Sequence, residues 1–322
     1  MGIRLVSDIT PVTAMQRALL IVNSKARKGR FDLTQGIELL EQYGMAVTTR
    51  RVHEPRDIAA VIQRVGPWAD LVIIGGGDGT LSRAAEALVE VGRPLGILPL
   101  GTANDLARTL GIPENIVEAC RIIVNGRRYA IDLGWVNGKH FFNVSSVGLS
   151  VRISRRLTGA VKRRWGVLSY AITFLDVFRT MRAFEVRLNI GSRFETFRTV
   201  QIAVGNGRFY GGGMAVAADA SIDDQQLDFY SLEPQSLWRF ILISPLLRSG
   251  RHDLWQGVQH RRGQQFEVVT HRPMAVNTDG EVTARTPANF MVKPRALAVF
   301  VPATGGPGLA SELRSQDVRD SA

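Results

Sequence analysis

Two glycine-rich segments carry the residue types that handle phosphate. In LVIIGGGDGTL, Leu71–Leu81, an apolar run enters Gly75, Gly76, Gly77, Asp78, Gly79 and Thr80, and a helical pattern opens directly after. Glycines let a backbone approach a phosphate closely, and the amides at a helix start point toward it. Asp78 adds a carboxylate able to hold a ligand hydroxyl or a magnesium-bound water, and Thr80 adds a hydroxyl. A tight strand-to-helix turn alone explains the glycines, yet it does not require Asp and Thr among them. In LPLGTANDLAR, Leu98–Arg108, Gly101 and Thr102 turn the chain after a second apolar run, and Asn104 and Asp105 follow. Capping of the next helix by Thr102 or Asn104 is compatible with a ligand role. Loops of this kind at the C-terminal ends of parallel strands line one crevice. Neither loop has the GxGxxG spacing or the Lys-Ser/Thr pair of a P-loop, which argues against hydride transfer and P-loop NTPase chemistry.

Other candidates are open to blander readings. Asp279-Gly280 in NTDGE favours a hairpin turn, so those residues taken alone read as scaffold. Asp223-Asp224 reads equally as a solvated acidic turn. The five histidines lack zinc spacing and no Ser/His/Asp arrangement stands out, so their expected roles are structural. Cys120, the single cysteine, sits in the apolar IVEACRIIV and reads as a small buried hydrophobe. One cysteine excludes an intramolecular disulfide framework and points to a reducing compartment. Arg152, Arg155, Arg156, Lys162, Arg163 and Arg164 occur with no acidic residue between them, and Trp165, Tyr170, Phe174 and Phe178 follow. That combination suits an anionic lipid surface. A solvated loop before a core helix explains it equally well.

The elements that must position these loops alternate strand and helix. Ala18–Val22, Ala46–Val52, Leu71–Ile74 and Leu95–Leu98 read as strands of a buried parallel sheet. Asp32 with Gln35 suggests a capped helix carrying Ile37 and Leu40, Pro55 fits the first turn of a second helix, and Leu81–Val89 is a third. Near Asp132 the pattern changes to short β-rich runs: Phe141–Val144, Val186–Ile190, Thr199–Val204, Leu227–Leu232, Phe266–Val269 and Leu297–Val301. The expectation is an α/β domain with a parallel sheet over 15–130, a mostly antiparallel β-sandwich over 131–302, and a flexible tail over 303–322. The 322 residues, 45% hydrophobic and 21% charged, suffice for two cores and exclude disorder, collagen and coiled coil. A net charge of +11 calls for an anionic partner. No aromatic RNP motif or helix-turn-helix marks the chain for nucleic acid. The start of the chain shows no signal-peptide run, and Trp165–Phe178, interrupted by Asp176, falls short of the roughly 20 residues of a spanning helix. A protein not integral to a membrane is expected.

GGGDGTL followed by LPLGTANDLAR resembles the diacylglycerol kinase catalytic domain family, shared by diacylglycerol, sphingosine and bacterial lipid kinases. Ile131–Ser150, the stretch VGNGRFYGGGMAVAADASIDDQQLDF and NTDGE (Asn277–Glu281) are similar to later segments of that family, in order, so the resemblance runs from Leu19 to Val301. It implies an NAD kinase/diacylglycerol kinase-like fold. It also implies ATP-dependent, Mg2+-assisted transfer of a phosphoryl group to a hydroxyl of a membrane lipid of diacylglycerol, phosphatidylglycerol or sphingoid type. The protein would be cytoplasmic and dock peripherally on the inner, anionic membrane face. Carried over, Gly75, Gly76, Gly77, Asp78, Gly79, Thr80 and Leu81, with Thr102 and Asn104, hold the nucleotide. Asp279 takes the role of base, with Glu281 as second choice, and Ser221, Asp224 and Gln226 take that of magnesium ligands. Asp132 resembles a member of a charge network, with Lys25 or Arg30 as its partner, and Lys25, Arg27, Lys28 and Arg30 are placed to neutralise phosphate. The chain departs from the family pattern in four places. Ser82-Arg83 stands for Asn-Glu, Ser24 for proline, Gln225 for glycine, and Gln226 for an apolar residue. A soluble-substrate kinase of NAD kinase type and a membrane-binding module without catalysis remain as alternatives. Oligomeric state, monomer or homodimer, is open.

Overall fold

Ala18–Ile21 and Leu71–Ile74 are fully buried, as strands covered by helices on both faces must be. The computed structural model describes residues 16–24, 30–156, 182–210, 214–215, 220–234 and 257–304. The N-terminal part runs β1 (Gln16–Asn23), α1 (Arg30–Gln42), β2 (Met45–Val52), α2 (Ile58–Val65), β3 (Leu71–Gly76), α3 (Asp78–Val91), β4 (Leu95–Pro99), α4 (Asp105–Thr109) and α5 (Ile116–Asn125). Its strands lie in the order β2-β1-β3-β4, all parallel. Asp32 falls inside α1 and does not cap it, because the helix already starts at Arg30. Pro55 opens a separate 3-10 turn, Pro55–Asp57, ahead of α2. Helix α5 is capped by Asn115, whose side chain accepts the Glu118 amide at 3.0 Å. It buries Cys120, where desolvation pushes the thiol up to about 12 and leaves it inert.

The remainder comprises β5 (Arg127–Val136), β6 (Lys139–Phe141), β7 (Val144–Gly148), α6 (Leu149–Arg156), β8 (Phe184–Ile190), β9 (Arg193–Thr199), β10 (Gln201–Gly205), β11 (Phe209–Tyr210), β12 (Met214–Ala215), β13 (Leu227–Leu232), β14 (Val258–Gly263), β15 (Gln265–Thr270), β16 (Ala275–Thr278), β17 (Glu281–Arg285) and β18 (Ala288–Val301). An antiparallel sheet of order β14-β13-β10-β7-β16-β17 faces the β18-β15-β8-β9 part of the first sheet. Ile202, Val204, Phe229 and Val276 from one meet Val186, Leu188, Phe266 and Phe290 from the other in a shared apolar core. Alternation of period two along each strand sends those side chains inward.

The expected strand Phe141–Val144 is two strands, because the amides between them serve a side chain from elsewhere. The expected Thr199–Val204 breaks at Val200, where the preceding Thr199 hydroxyl donates its one hydrogen between the carbonyls of Gln201 (2.9 Å) and Leu232 (2.7 Å). Strand β18 crosses the expected domain boundary. Its first half pairs with β15, both halves pair with β5, and Val299 lies parallel to Leu95 of β4. Ile131, Leu133, Leu297 and Val299 therefore belong to the N-terminal core. Among the described residues no helix is long and apolar enough to cross a membrane.

Candidate active site

The two glycine loops meet backbone to backbone. A Cβ placed on Gly101 would lie 2.5 Å from the Gly77 Cα and 2.6 Å from Asn104 Oδ1, so only glycine fits at this crossing. Thr80 and Leu81 donate their amides to the Gly77 carbonyl at 2.8 and 3.1 Å, which starts α3 immediately after the loop. Asp78 and Gly79 head the helix, where amides have no earlier helical carbonyl to pair with. A cleft of about 230 Å³ lies there, lined by Asn23, Pro55, Gly77, Gly79, Thr80, Arg83 and Glu281.

Several assigned residues turn out to build this site and not to line the cleft. Leu81 points into the N-terminal core, 2% exposed, and its amide is used by the helix, so the expected nucleotide contact is removed. Asn104, in the left-handed region at φ 51°, closes its own loop: Oδ1 accepts the Gly101 amide at 3.0 Å and Nδ2 donates to the Gly101 carbonyl at 3.2 Å. Asn104 therefore holds the loop for a ligand, and its one Oδ1 and one Nδ2 bond are both spent on Gly101. Asp78 Oδ1 accepts the Leu106 amide at 3.1 Å, so the carboxylate of the first loop caps the helix of the second. Gly75 and Gly76 end β3, and Thr102 is exposed in the second loop. Asn23 Nδ2 donates to Thr80 Oγ1 at 3.3 Å and ties β1 to α3. Lys25, Arg27 and Lys28 lie outside the described residues, and Arg30 opens α1.

Asp279 and Gly280 do form a hairpin turn, both at positive φ (47° and 96°), joining β16 to β17. The same turn presents the carboxylate to the domain junction. Asp279 Oδ2 accepts the Phe142 amide at 2.7 Å, and Oδ1 accepts those of Asn143 (2.9 Å) and Val144 (3.1 Å). Hydrogen bonds of this kind lower a carboxyl pKa, and burial raises it. Burial wins, and with the Asp78 carboxylate adding to it, the Asp279 carboxyl is pushed up to about 6.

Glu281, the first residue of β17, lines the cleft and pairs with Arg83 of α3. The departure at Arg83 is thus matched across the domains by the second carboxylate of NTDGE. A neighbouring link joins the same helix to β6, where Glu86 accepts both the amide of His140 and, at 3.0 Å, its Nδ1.

Residues that the sequence reading passed over surround Asp279. Asn143, Asn206 and Asn277 are buried. Asn206 Nδ2 donates to the carbonyls of Asp132 (3.0 Å) and Phe142 (2.8 Å), which fixes Oδ1 pointing away. Asn143 Oδ1, Asn206 Oδ1 and Asn277 Nδ2 have no hydrogen-bond partner. The signal was present as isolated asparagines in FFN, GNG and NTDGE, segments that show no local periodicity.

The acidic turn is stitched to β5. Asp132 accepts the amides of Gln225 (2.6 Å) and Arg295 (2.7 Å), both residues at positive φ (59° and 49°). Its partners among the described residues are these backbone amides, the expected pairing with Lys25 or Arg30 lies outside the described side chains, and burial raises its pKa above the usual range. Glycine adopts that φ without strain, so Gln225 occupies a position that favours the residue it replaces. Ser221 donates its hydroxyl to Asp223, which also accepts from Tyr129. Asp224 accepts the Gln226 amide at 3.0 Å, and desolvation, with Asp228 and Asp132 nearby, pushes its carboxyl up to about 6. Among the described residues no three His, Cys, Asp or Glu side chains group as a metal site.

A two-domain fold with paired glycine loops, and a second-domain carboxylate near Asp78 of the first loop, defines a phosphotransferase class. Residues 17–136 match the diacylglycerol kinase catalytic domain, and residues 143–301 match the YegS C-terminal NAD kinase beta sandwich-like domain. A probable lipid kinase YegS-like from Yersinia enterocolitica is 34% identical, over 89% of this chain and 98% of that protein. A diacylglycerol kinase from Bacillus subtilis is 29% identical, over 89% and 97%. The crystal structure of a putative diacylglycerol kinase from Bacillus anthracis superposes with a TM-score of 0.77 at 27% identity, covering 91% of this chain and 97% of that one. The chain belongs to the bacterial diacylglycerol kinase and YegS-like lipid kinase family. It is a lipid kinase.

Proposed function

We propose that the protein transfers the γ-phosphoryl group of ATP to a hydroxyl of a membrane lipid, with Asp279 as general base. The observation that carries this is the Asp279 carboxylate, held by three backbone amides beside the Asp78 loop and pushed up to about 6. A carboxylate with that pKa is ionised at neutral pH and more basic than an exposed one. The acceptor hydroxyl gives its proton to Asp279 Oδ2, which takes only one amide, and its oxygen bonds to the γ-phosphorus as the bond to the β-phosphate oxygen breaks. The products are a phosphorylated lipid and ADP, and the proton leaves Asp279 to solvent. The unpartnered oxygens of Asn143 and Asn206 are suited to orient the acceptor beside the base. Amides at the head of α3 receive phosphate oxygens, and Arg83 sets a cation in the cleft where Glu281 would otherwise face the polyphosphate.

The acidic turn suits magnesium by the chemistry of its donors. Asp224 is a desolvated carboxylate whose charge is opposed by Asp228 and Asp132, and a cation would relieve it. With the Ser221 hydroxyl committed to Asp223, the ligands would be the Asp224 carboxylate and the carbonyls of Ser221 and Gln226. Bound there, the ion supplies charge that holds the turn against β5. Peripheral docking on an anionic membrane brings the acceptor to the site.

The test is transfer of labelled γ-phosphate from ATP into a total lipid extract, with magnesium and then with chelator. Wild type labels a lipid, chelator stops it, and Asp279→Asn labels none while still melting cooperatively. Labelling by Asp279→Asn at the wild-type rate would remove Asp279 as base, and ATP bound without any labelled lipid would remove the lipid acceptor.

A further inference from the structure

At the end of the sandwich remote from the base, Gly148, Leu149, Arg152, Arg182, Ala183, Phe184, Val200, His271, Arg272 and Met274 are among the residues that enclose a cavity of about 340 Å³. Three different elements bring the guanidiniums together: α6 supplies Arg152, the approach to β8 supplies Arg182, and the turn after β15 supplies Arg272. All three are exposed, and no ion pair joins any of them to another described residue. Glu185 is the one carboxylate in the lining. The inner wall is apolar, with Leu149 and Val200 buried behind Ala183, Phe184 and Met274.

We infer that this cavity seats the phosphate of an anionic glycerophospholipid, and that the protein uses it to dock on the bilayer. Guanidiniums at the rim with no ion-pair partner among the described residues match a phosphodiester, and the apolar wall matches the glycerol ester region and first acyl carbons behind it. A free inorganic phosphate would satisfy the rim and leave the wall unused. The cavity is distinct from the acceptor site. Strand β7 runs from Val144, whose amide binds Asp279, to Gly148 in the cavity wall. At about 3.3 Å per residue that is roughly 13 Å, too far for one headgroup to fill the cavity and reach the base. The inference adds a location to the proposed membrane docking and rests on that reading.

The experiment is sedimentation with phosphatidylglycerol/phosphatidylcholine vesicles and with pure phosphatidylcholine vesicles, without nucleotide. Wild type is compared with Arg182→Gln/Arg272→Gln, with Ala183→Trp, which fills the cavity and keeps its charge, and with Arg51→Gln as a charge control on β2. The double variant and Ala183→Trp each lose about tenfold in partition onto anionic vesicles, and Arg51→Gln does not. Equal losses for Arg51→Gln, or none for Ala183→Trp, would mean diffuse surface attraction and overturn the site. Equal binding to neutral vesicles would overturn it too. Inorganic phosphate binding at millimolar concentration with no vesicle binding would reassign the cavity to a free anion. The assay contains no ATP, so failure of the lipid kinase reading appears separately, in the label-transfer assay.

Discussion

The charge on Asp279 sets two pH profiles that run in opposite directions. In the folded protein its carboxyl lies at about 6, against an ordinary 3.8 in the unfolded chain. The folded state therefore binds that proton more tightly. This group favours folding below both values, loses that advantage as pH rises through the window between them, and contributes a constant penalty above 6. Each pH unit between the two values is worth about 1.36 kcal/mol, so the full penalty approaches ~3 kcal/mol. Roughly two-thirds of that falls between pH 4.5 and 7.5, and partial exposure of the residue reduces the expected loss to about 1.5 kcal/mol. The measurement is urea unfolding at those two pH values for wild type and Asp279→Asn. Subtracting the variant cancels every other titrating group, and the wild type should lose about 1.5 kcal/mol more than the variant. Turnover should rise over the same window, because the base works only when ionised. A difference of zero, or a wild type relatively more stable at pH 7.5, would refute the reasoning. It would mean that the three amides outweigh burial and hold the carboxyl at or below its ordinary value.

Gly101→Ala should cost about 2 kcal/mol and abolish ATP binding, since the new methyl meets the Gly77 backbone; thermal melting and nucleotide titration check both. A double-mutant cycle on Arg83→Gln and Glu281→Gln should return a coupling of about 0.5–1 kcal/mol that vanishes in molar salt, because both side chains of the pair are about one-third exposed. Asp132→Ala removes the acceptor of two part-buried amides and should lower urea stability by about 2 kcal/mol. Gln225→Gly relieves a left-handed residue and should raise stability by about 0.5–1 kcal/mol with no change in turnover.

Local pattern made the nucleotide half legible. Four apolar runs bounded by helix signals gave strands β1 to β4, and the glycines of LVIIGGGDGTL and LPLGTANDLAR marked the loops. The missed strand β5 and the full length of β18 have no clean alternation, because they change partners along their length and end up facing different cores. The Asp279-Gly280 turn was readable and its carboxylate was not, because Asp-Gly has a sufficient local reason to occur in any hairpin. Leu81 and Asn104 were assigned to the ligand on position in a motif. Their side chains serve the core and the loop, which no spacing distinguishes from ligand contact.

The sequence by itself determined which segments become strands, which loops can approach a phosphate, and that the chain carries a net charge of +11. Those are properties of a few adjacent residues: period, turn chemistry and charge. Only tertiary structure decided that Asp279 reaches the amides of Phe142–Val144, that Arg83 pairs with Glu281, and that Arg152, Arg182 and Arg272 surround one cavity. Each of those brings together residues from separate parts of the chain. Their burial and charge depend on neighbours that sequence distance does not reveal.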